Sequence, residues 1–375
     1  MKPGTWVLCL AGLLAACAQG DAVSPDLFSL PVTYPVGKKP ATVLVHDMNL
    51  DGFPDILVPN SGAQSLHYYE GVGDGTFKTA LVMKTGREPV ALDVNDFDGD
   101  GIPDIAVCNY GDNNITIILG QKDGMFRIRD RVKVGRLPIA IASADLNNDG
   151  KADLAVTLRF DKLVILLGVG DGSFKPAEAY RASGTPAHMV VGDYNGDGNV
   201  DIAVAFNAVR VHAIKIFYGN GDGTLQNPQR FAGGHQSAFI TQFDMNRDGA
   251  ADLIISSPQA DSLTLFLGDG KGGFTAQPDL AGEKSPGYIV AGDFSGDRVP
   301  DLVVCNRRDG SISVLEGKGD GRFGFPHFNY PVGRNPRALA GADFNNDGLQ
   351  DLAVILYDSP LLEILMRKPL AHAPA

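Results

Sequence analysis

The 375-residue chain carries 44 acidic against 32 basic residues, a formal net charge of -12 at pH 7, with 46 glycines and 23 prolines. Such an acidic balance excludes binding to the phosphate backbone of nucleic acid as a main role, because that needs a basic footprint, and so much Gly and Pro excludes a fold of long helices. Four cysteines, Cys9, Cys17, Cys108 and Cys305, are too few for a disulfide scaffold at this length.

In chain order, the first element is a targeting segment. Lys2 supplies a positive charge and residues 6–16 form an apolar run too short for a stop-transfer helix. The string Leu14-Ala15-Ala16-Cys17 resembles the lipobox of bacterial lipoproteins, in which the cysteine is acylated and becomes the mature N-terminus. The resemblance implies that residues 1–17 are a signal peptide ending in a lipidated Cys17, and that the membrane is reached through a lipid anchor only. Ala18 rather than Asp at the next position implies, by the same resemblance, the outer membrane or cell surface of a bacterium. A plain secretory signal cleaved nearby is the alternative, and it also exports the chain. Residues 18–26 read as a short linker. Cys108 and Cys305 then remain in the folded part, each four residues after the last Asp of its own repeat, and are expected to be free, buried thiols.

Next comes a nine-residue acidic string that recurs seven times. Its copies span 47–55 (DMNLDGFPD), 96–104 (DFDGDGIPD), 145–153 (DLNNDGKAD), 193–201 (DYNGDGNVD), 244–252 (DMNRDGAAD), 293–301 (DFSGDRVPD) and 343–351 (DFNNDGLQD). First-Asp spacings are 49, 49, 48, 51, 49 and 50 by subtraction, the signature of an array of one supersecondary unit. Around each string the rest repeats too. Pro40, Pro89, Pro138, Pro186, Pro286 and Pro336 stand seven residues before the first Asp, with Ser237 as the exception, and each last Asp opens a strand such as Asp104-Ile105-Ala106-Val107. Gly-rich turns such as Gly73-Asp74-Gly75-Thr76-Phe77 follow in six units and carry hairpin chemistry.

Each unit therefore reads as four short strands, and four-stranded sheets repeated about an axis are propeller blades. The fold class expected is all-β, a seven-bladed β-propeller over 27–367, followed by a tail at 368–375. The seventh unit lacks its Gly-rich turn and fourth strand, while residues 27–36 end in Tyr34-Pro35-Val36-Gly37, a string repeated as Tyr330-Pro331-Val332-Gly333. This N-terminal strand is expected to complete the last blade and close the ring, removing the exposed edges of an open array.

The acidic string has the oxygen donors of a calcium loop: side chains at positions 1, 3 and 5, a turn glycine at 6 and a backbone carbonyl at 7. A further Asp at position 9 completes the set, and the absence of clustered His or Cys argues against zinc or copper. The expected metal ligands are Asp47, Asn49, Asp51 and Asp55; Asp96, Asp98, Asp100 and Asp104; Asp145, Asn147, Asp149 and Asp153; and Asp193, Asn195, Asp197 and Asp201. The last three loops add Asp244, Asn246, Asp248 and Asp252; Asp293, Ser295, Asp297 and Asp301; and Asp343, Asn345, Asp347 and Asp351. In the sixth loop Ser295 is a short ligand and Arg298 replaces the turn glycine, so of up to seven Ca²⁺ sites this one is the weakest or empty. The loops hold 22 of the 44 acids, and seven bound Ca²⁺ take the formal charge from -12 to about +2 by addition. The bland alternative is that these side chains only cap turns.

The whole unit, Pro, apolar run, Asp-x-Asn-x-Asp-Gly-x-x-Asp, Ile/Leu-x-Val and Gly-Asp-Gly-x-Phe, resembles the FG-GAP/VCBS repeat family across residues 27–367. The resemblance implies a seven-bladed propeller like that of integrin α-subunit heads and some fungal lectins, with calcium between the first and second strands. Bacterial members with adhesion or carbohydrate-binding roles lead to the functional expectation: a calcium-binding, lipid-anchored envelope module, monomeric, for a protein or polysaccharide. A lectin with sugar sites between blades and a polysaccharide-degrading enzyme are the alternatives.

If strands alternate, the acidic loops and Gly-rich turns share one face. The other face collects Lys38, Lys39, Arg87, Arg136, Lys284, Arg334 and Arg337 from the blade links, and Arg159, Lys162, Arg210, Arg307 and Arg308 from the remaining loops, interleaved with Tyr110, Phe160 and Tyr357. Arg307, Arg308, Arg334, Arg337, Tyr110 and Tyr357 are the ligand-binding residues expected for an anionic polysaccharide or an acidic protein patch. No catalytic residue is assigned, since His46, His67, His188, His212, His235, His327 and His372 form no nucleophile or metal motif with their neighbours.

Overall fold

A strand whose residues are all apolar or small has to be covered on both faces, because successive side chains point to opposite sides. The strands opened by the last Asp of each acidic string meet this demand: Asp55–Asn60, Asp104–Asn109, Asp153–Leu158, Asp201–Phe206, Asp252–Ser257, Asp301–Asn306 and Asp351–Leu356 are buried at every position. The computed structural model describes residues 27–369 except 183, 208–213, 235 and 325–326. The lipobox with Cys17, the 1–17 and 18–26 segments, Arg210, His212, His235, His372 and residues 370–375 lie outside the described residues.

Each buried strand is the second of a four-stranded antiparallel sheet, and seven such sheets follow one another as blades one to seven. Blade two shows the pattern, with Pro89–Asn95, Asp104–Asn109, Asn114–Gly120 and Phe126–Lys133 paired in sequence order. Side-chain parity then sends Ile105 and Val107 towards Leu57 and Leu66 of blade one, while Ala106 and Cys108 meet Leu154 and Val156 of blade three. Seven apolar clusters result, one between each pair of neighbouring blades, including the pair formed by blades seven and one. First strands line the ring's interior, each touching the next, and Leu44–His46 of blade one meets Pro336–Ala342 of blade seven. On three successive inner strands the rings of His188, Phe239 and Tyr288 stack, with centroids 4.2 and 4.1 Å apart.

Ring closure is as expected. Val32–Pro35 is the fourth strand of blade seven, paired antiparallel with Leu361–Leu365 so that Val32 lies opposite Ile364 and Pro35 opposite Leu361. The strand is shorter than the 27–36 segment read from the sequence, but Leu27 and Phe28 are buried and Phe28 bridges Arg367. Blade five departs from the four-strand plan. Its outer strand is split into Phe274–Ala276 and Leu280–Ala281, both on Ser262–Gly268, because Pro278 between them has no N–H for the ladder.

The two faces separate as alternation requires. Gly-rich turns reach across to the acidic loop of the preceding blade: the amides of Gly75, Gly172, Gly223 and Gly272 donate to the carbonyls of Phe344, Phe97, Leu146 and Tyr194 at 2.9–3.0 Å. On the opposite face the links of blades one to four, six and seven bind the second-to-third turn of their own blade, as where Arg307 and Arg308 amides donate to Ser285 and Lys284 carbonyls. Cys108 and Cys305 are buried free thiols, as the spacing predicts.

Candidate functional site

Each acidic string folds into one turn that its own side chains organise. The position-1 carboxylate accepts from the position-6 amide in all seven loops, from Gly52 to Asp47 at 2.8 Å through Gly348 to Asp343 at 2.8 Å. The position-5 carboxylate accepts from the position-7 amide, for example Ile102 to Asp100 at 2.9 Å. Glycine at position 6 has φ of 80–89°, a region that costs a side chain energy, and position 4 turns left-handed too, with Leu50 and Arg247 at 59° and 62°. Gly or Asn, the residues that tolerate this region best, stand at position 4 in five loops, and Leu50 and Arg247 are the exceptions.

Position 9 does more than the sequence reading assigns to it. Asp55, Asp104, Asp153, Asp201, Asp252, Asp301 and Asp351 are fully buried. One carboxylate oxygen accepts from the position-2 amide, as from Phe97 to Asp104 at 2.9 Å, and the other from a residue at the end of the third strand, as from Gly120 at 2.8 Å. This staple ties loop to sheet in every blade. Burial is the main cause raising these carboxyls, to about 6 for Asp55, Asp104, Asp201 and Asp351, with the amide bonds opposing and neighbouring aspartates reinforcing the rise. The partner at the end of the third strand is Gly71, Gly120, Gly168, Gly219, Gly268 or Gly317, where a Cβ would run into the carbonyl of Pro54, Pro103, Ala152, Val200, Ala251 or Pro300. Their recurrence about sixteen residues after the last Asp was the signal available in the sequence.

The donor set suits a hard divalent cation. Asp96, Asp98 and Asp104 each bring a carboxylate oxygen within 4.8 Å of the others, the span of opposite ligands around an ion held at about 2.3–2.6 Å. Burial first, and then Asp100 beside it, disfavours charge on Asp98, so these oxygens lack compensating positive charge of their own. The other loops place Asn49, Asn147, Asn195, Asn246 and Asn345 where Asp98 stands, each accepting from the position-5 amide at 2.9–3.1 Å.

Loop six breaks this pattern in three ways. No bond joins Ser295 to the Asp297 amide among the described residues, which is held by Asp293 alone at 3.1 Å. Arg298 occupies the turn position at φ 67°. And its neighbour, blade seven, has no Gly-rich turn to satisfy the Phe294 carbonyl. Arg367 does this instead. It stands where the other blades carry the glycine at the end of the third strand, its amide donates to Asp351 at 2.6 Å, and its buried guanidinium donates to the carbonyls of Phe294 at 2.6 Å, Ser295 at 3.0 Å and Leu27 at 3.4 Å. Sequence reasoning missed this residue, although it lies sixteen positions after Asp351 just as Gly317 does after Asp301.

On the opposite face the expected ligand residues fall into separate places. Arg307, Arg308 and Arg334 line one cleft of 650 Å³ across blades five to seven, with Gln259, Ser285, Asp309, Asn335 and Asp358. Arg337 lies over the Tyr357 ring at 5.7 Å and close enough to Arg307 that it, after burial, disfavours charge there. The Nε atoms of Arg307 and Arg337 are buried without a hydrogen-bond partner. Tyr110 is not brought to this cleft: it carries Arg159 on its ring, 6.0 Å from the centroid, and bonds it through its hydroxyl. Arg87 is spent on Asp112 at 2.6 Å, and Arg136 lies over Phe160.

Comparison with known proteins agrees with this architecture. The model of the FG-GAP-like repeat matches residues 47–107, 96–156, 145–204, 193–255, 244–304 and 293–354. No curated protein matches the chain by sequence. Among solved structures, BBS1N in complex with ARL6DN is similar at 14% identity and a TM-score of 0.65, over 92% of this chain and 98% of that one. A putative 6-phosphogluconolactonase from Bacteroides fragilis NCTC 9343 reaches 0.61 at 16% identity, over 83% and 97%, and a protein from Lactobacillus plantarum 0.60 at 14%, over 80% and 86%. These likenesses extend to the fold alone. With six overlapping matches that run through all seven acidic loops, the chain belongs to the FG-GAP-like repeat family and is built as a seven-bladed β-propeller.

Proposed function

We propose that this chain is an exported, lipid-anchored calcium propeller that acts as a binding module, using the face opposite its acidic loops to hold an anionic ligand. The observation that carries the reading is the arginine cluster on the face opposite the acidic loops: Arg307, Arg308, Arg334 and Arg337 have no carboxylate partner in any ion pair among the described residues. Arginines that outnumber the cleft's carboxylates and are paired with none of them raise the local concentration of anions and reward one that fills the site. Calcium, held by the position 1, 3, 5 and 9 side chains, would supply the positive charge that the acidic loops lack; its role is to stiffen the blades, and Cys17 would carry the anchor.

The test is a binding screen of purified protein against acidic and neutral glycans and surface proteins, at low and high salt, with and without chelator. Salt-sensitive retention of acidic ligands supports the reading, and indifference to ligand charge refutes it. A protein ligand is the second reading, favoured by the similarity to BBS1N, which was crystallised in complex with ARL6DN.

A further inference from the structure

Resting on that reading, we infer that the cleft across blades five to seven is a saccharide site for a sugar unit that bears a carboxylate. Its volume of 650 Å³ falls in the usual range for small-ligand sites. Its lining pairs two chemistries. Arg307, Arg308 and Arg334 supply planar donor forks that match a carboxylate two bonds at a time. Asp309 and Asp358 are exposed carboxylates, Asp309 already accepting the Lys284 amide at 2.8 Å through one oxygen and Asp358 accepting from Asn335 at 3.4 Å, which leaves the second oxygen of each for hydroxyl donors.

That mixture separates a sugar from an acidic peptide. A protein interface is anchored by a large aromatic or aliphatic side chain in a pocket, and the cleft's lining contains no apolar side chain at all. An acidic peptide would face repulsion from Asp309 and Asp358, whereas a uronate unit uses them as acceptors for ring hydroxyls while its carboxylate takes the arginines.

The experiment is calorimetric titration of the full chain with trigalacturonate, with neutral maltotriose and with a short polyglutamate peptide. The expected result is one site for trigalacturonate and binding at least tenfold weaker for both other probes. R307Q and the doubly exposed R308Q/R334Q should each weaken trigalacturonate at least tenfold with unchanged melting curves. The decisive variant is Asp358→Ala. A saccharide site loses a hydroxyl acceptor and weakens several-fold, whereas a plain anion patch loses a repelling charge and binds more tightly, which would overturn the inference. Retention of polyglutamate without trigalacturonate also overturns it but leaves the anionic-ligand reading standing. Failure of both acidic probes sinks both.

Discussion

Removing the Arg367 side chain probes the seam where the ring is closed. In Arg367→Met the carbonyls of Phe294 and Ser295 lose donors at 2.6 and 3.0 Å in a buried setting, and no Gly-rich turn exists in blade seven to replace them. Charged hydrogen bonds contribute about 1.5–3 kcal/mol each, and a stranded buried acceptor costs about 1–3 kcal/mol, so the loss should be about 3–5 kcal/mol. With an unfolding entropy of about 2.1 cal/mol/K per residue over about 340 folded residues, that lowers the melting temperature by about 4–7 °C. Differential scanning calorimetry reads it directly. Arg367→Lys, which keeps the charge but not the fork, should recover part of the loss, and Arg322→Met, whose side chain is 84% exposed, should change nothing. A melting point for Arg367→Met within about 1 °C of the parent would refute the reasoning.

Deleting residues 27–35 should expose the edge of Leu361–Leu365 and leave Leu27 and Phe28 out of their cluster, giving self-association in light scattering; a stable monomer would argue against closure by this strand. Burial pushes the Cys108 and Cys305 thiols far up, so Ellman's reagent should label them only at the rate of unfolding. Burial pushes His188 from its ordinary 6.5 down to about 4, so the unfolded chain takes up its proton first. Its share of stability is present above pH 6.5 and lost as pH falls towards 4, a loss of up to about 3 kcal/mol that His188→Gln should flatten in pH-dependent melts. Arg298→Gly relieves a left-handed arginine and should stabilise loop six or leave it unchanged, within about 1 kcal/mol; a clear loss would mean that the side chain has a role of its own.

Most of the fold was legible because its determinants are local and repeated. The position-9 Asp, the turn glycine and the alternating strand that follows report one blade each, and seven copies in phase leave only the closure of the ring to infer, which Tyr34-Pro35-Val36-Gly37 supplied. What depended on the third dimension was harder. Sequence placed Tyr110 with the ligand arginines because both belong to the same kind of loop, but ring geometry puts it beside Arg159. The meeting of Arg307, Arg334 and Asp358 joins two blades and follows from no periodicity. Arg87 looked like a free cation because its partner Asp112 lies 25 residues away across its own blade. Arg367 was overlooked because it appears where the repeat is broken, and a pattern search reads only what recurs. Lys215, buried against the Phe206 ring with its ammonium on the Ala182 carbonyl, sits at an inward strand position that alternation assigns to an apolar residue.

The central claim is that acidic loops need divalent ions to hold the ring, and the most direct measurement is the melting temperature of exhaustively chelated protein before and after calcium is restored, with bound metal counted by elemental analysis. Each occupied loop at a hundredfold excess over its dissociation constant adds about 2.7 kcal/mol. Six such loops raise the melting point by on the order of 20 °C in a chain of this size. The account predicts a rise on that scale with six or seven ions per chain. Stripped and reloaded protein melting together, with no calcium retained, would contradict it.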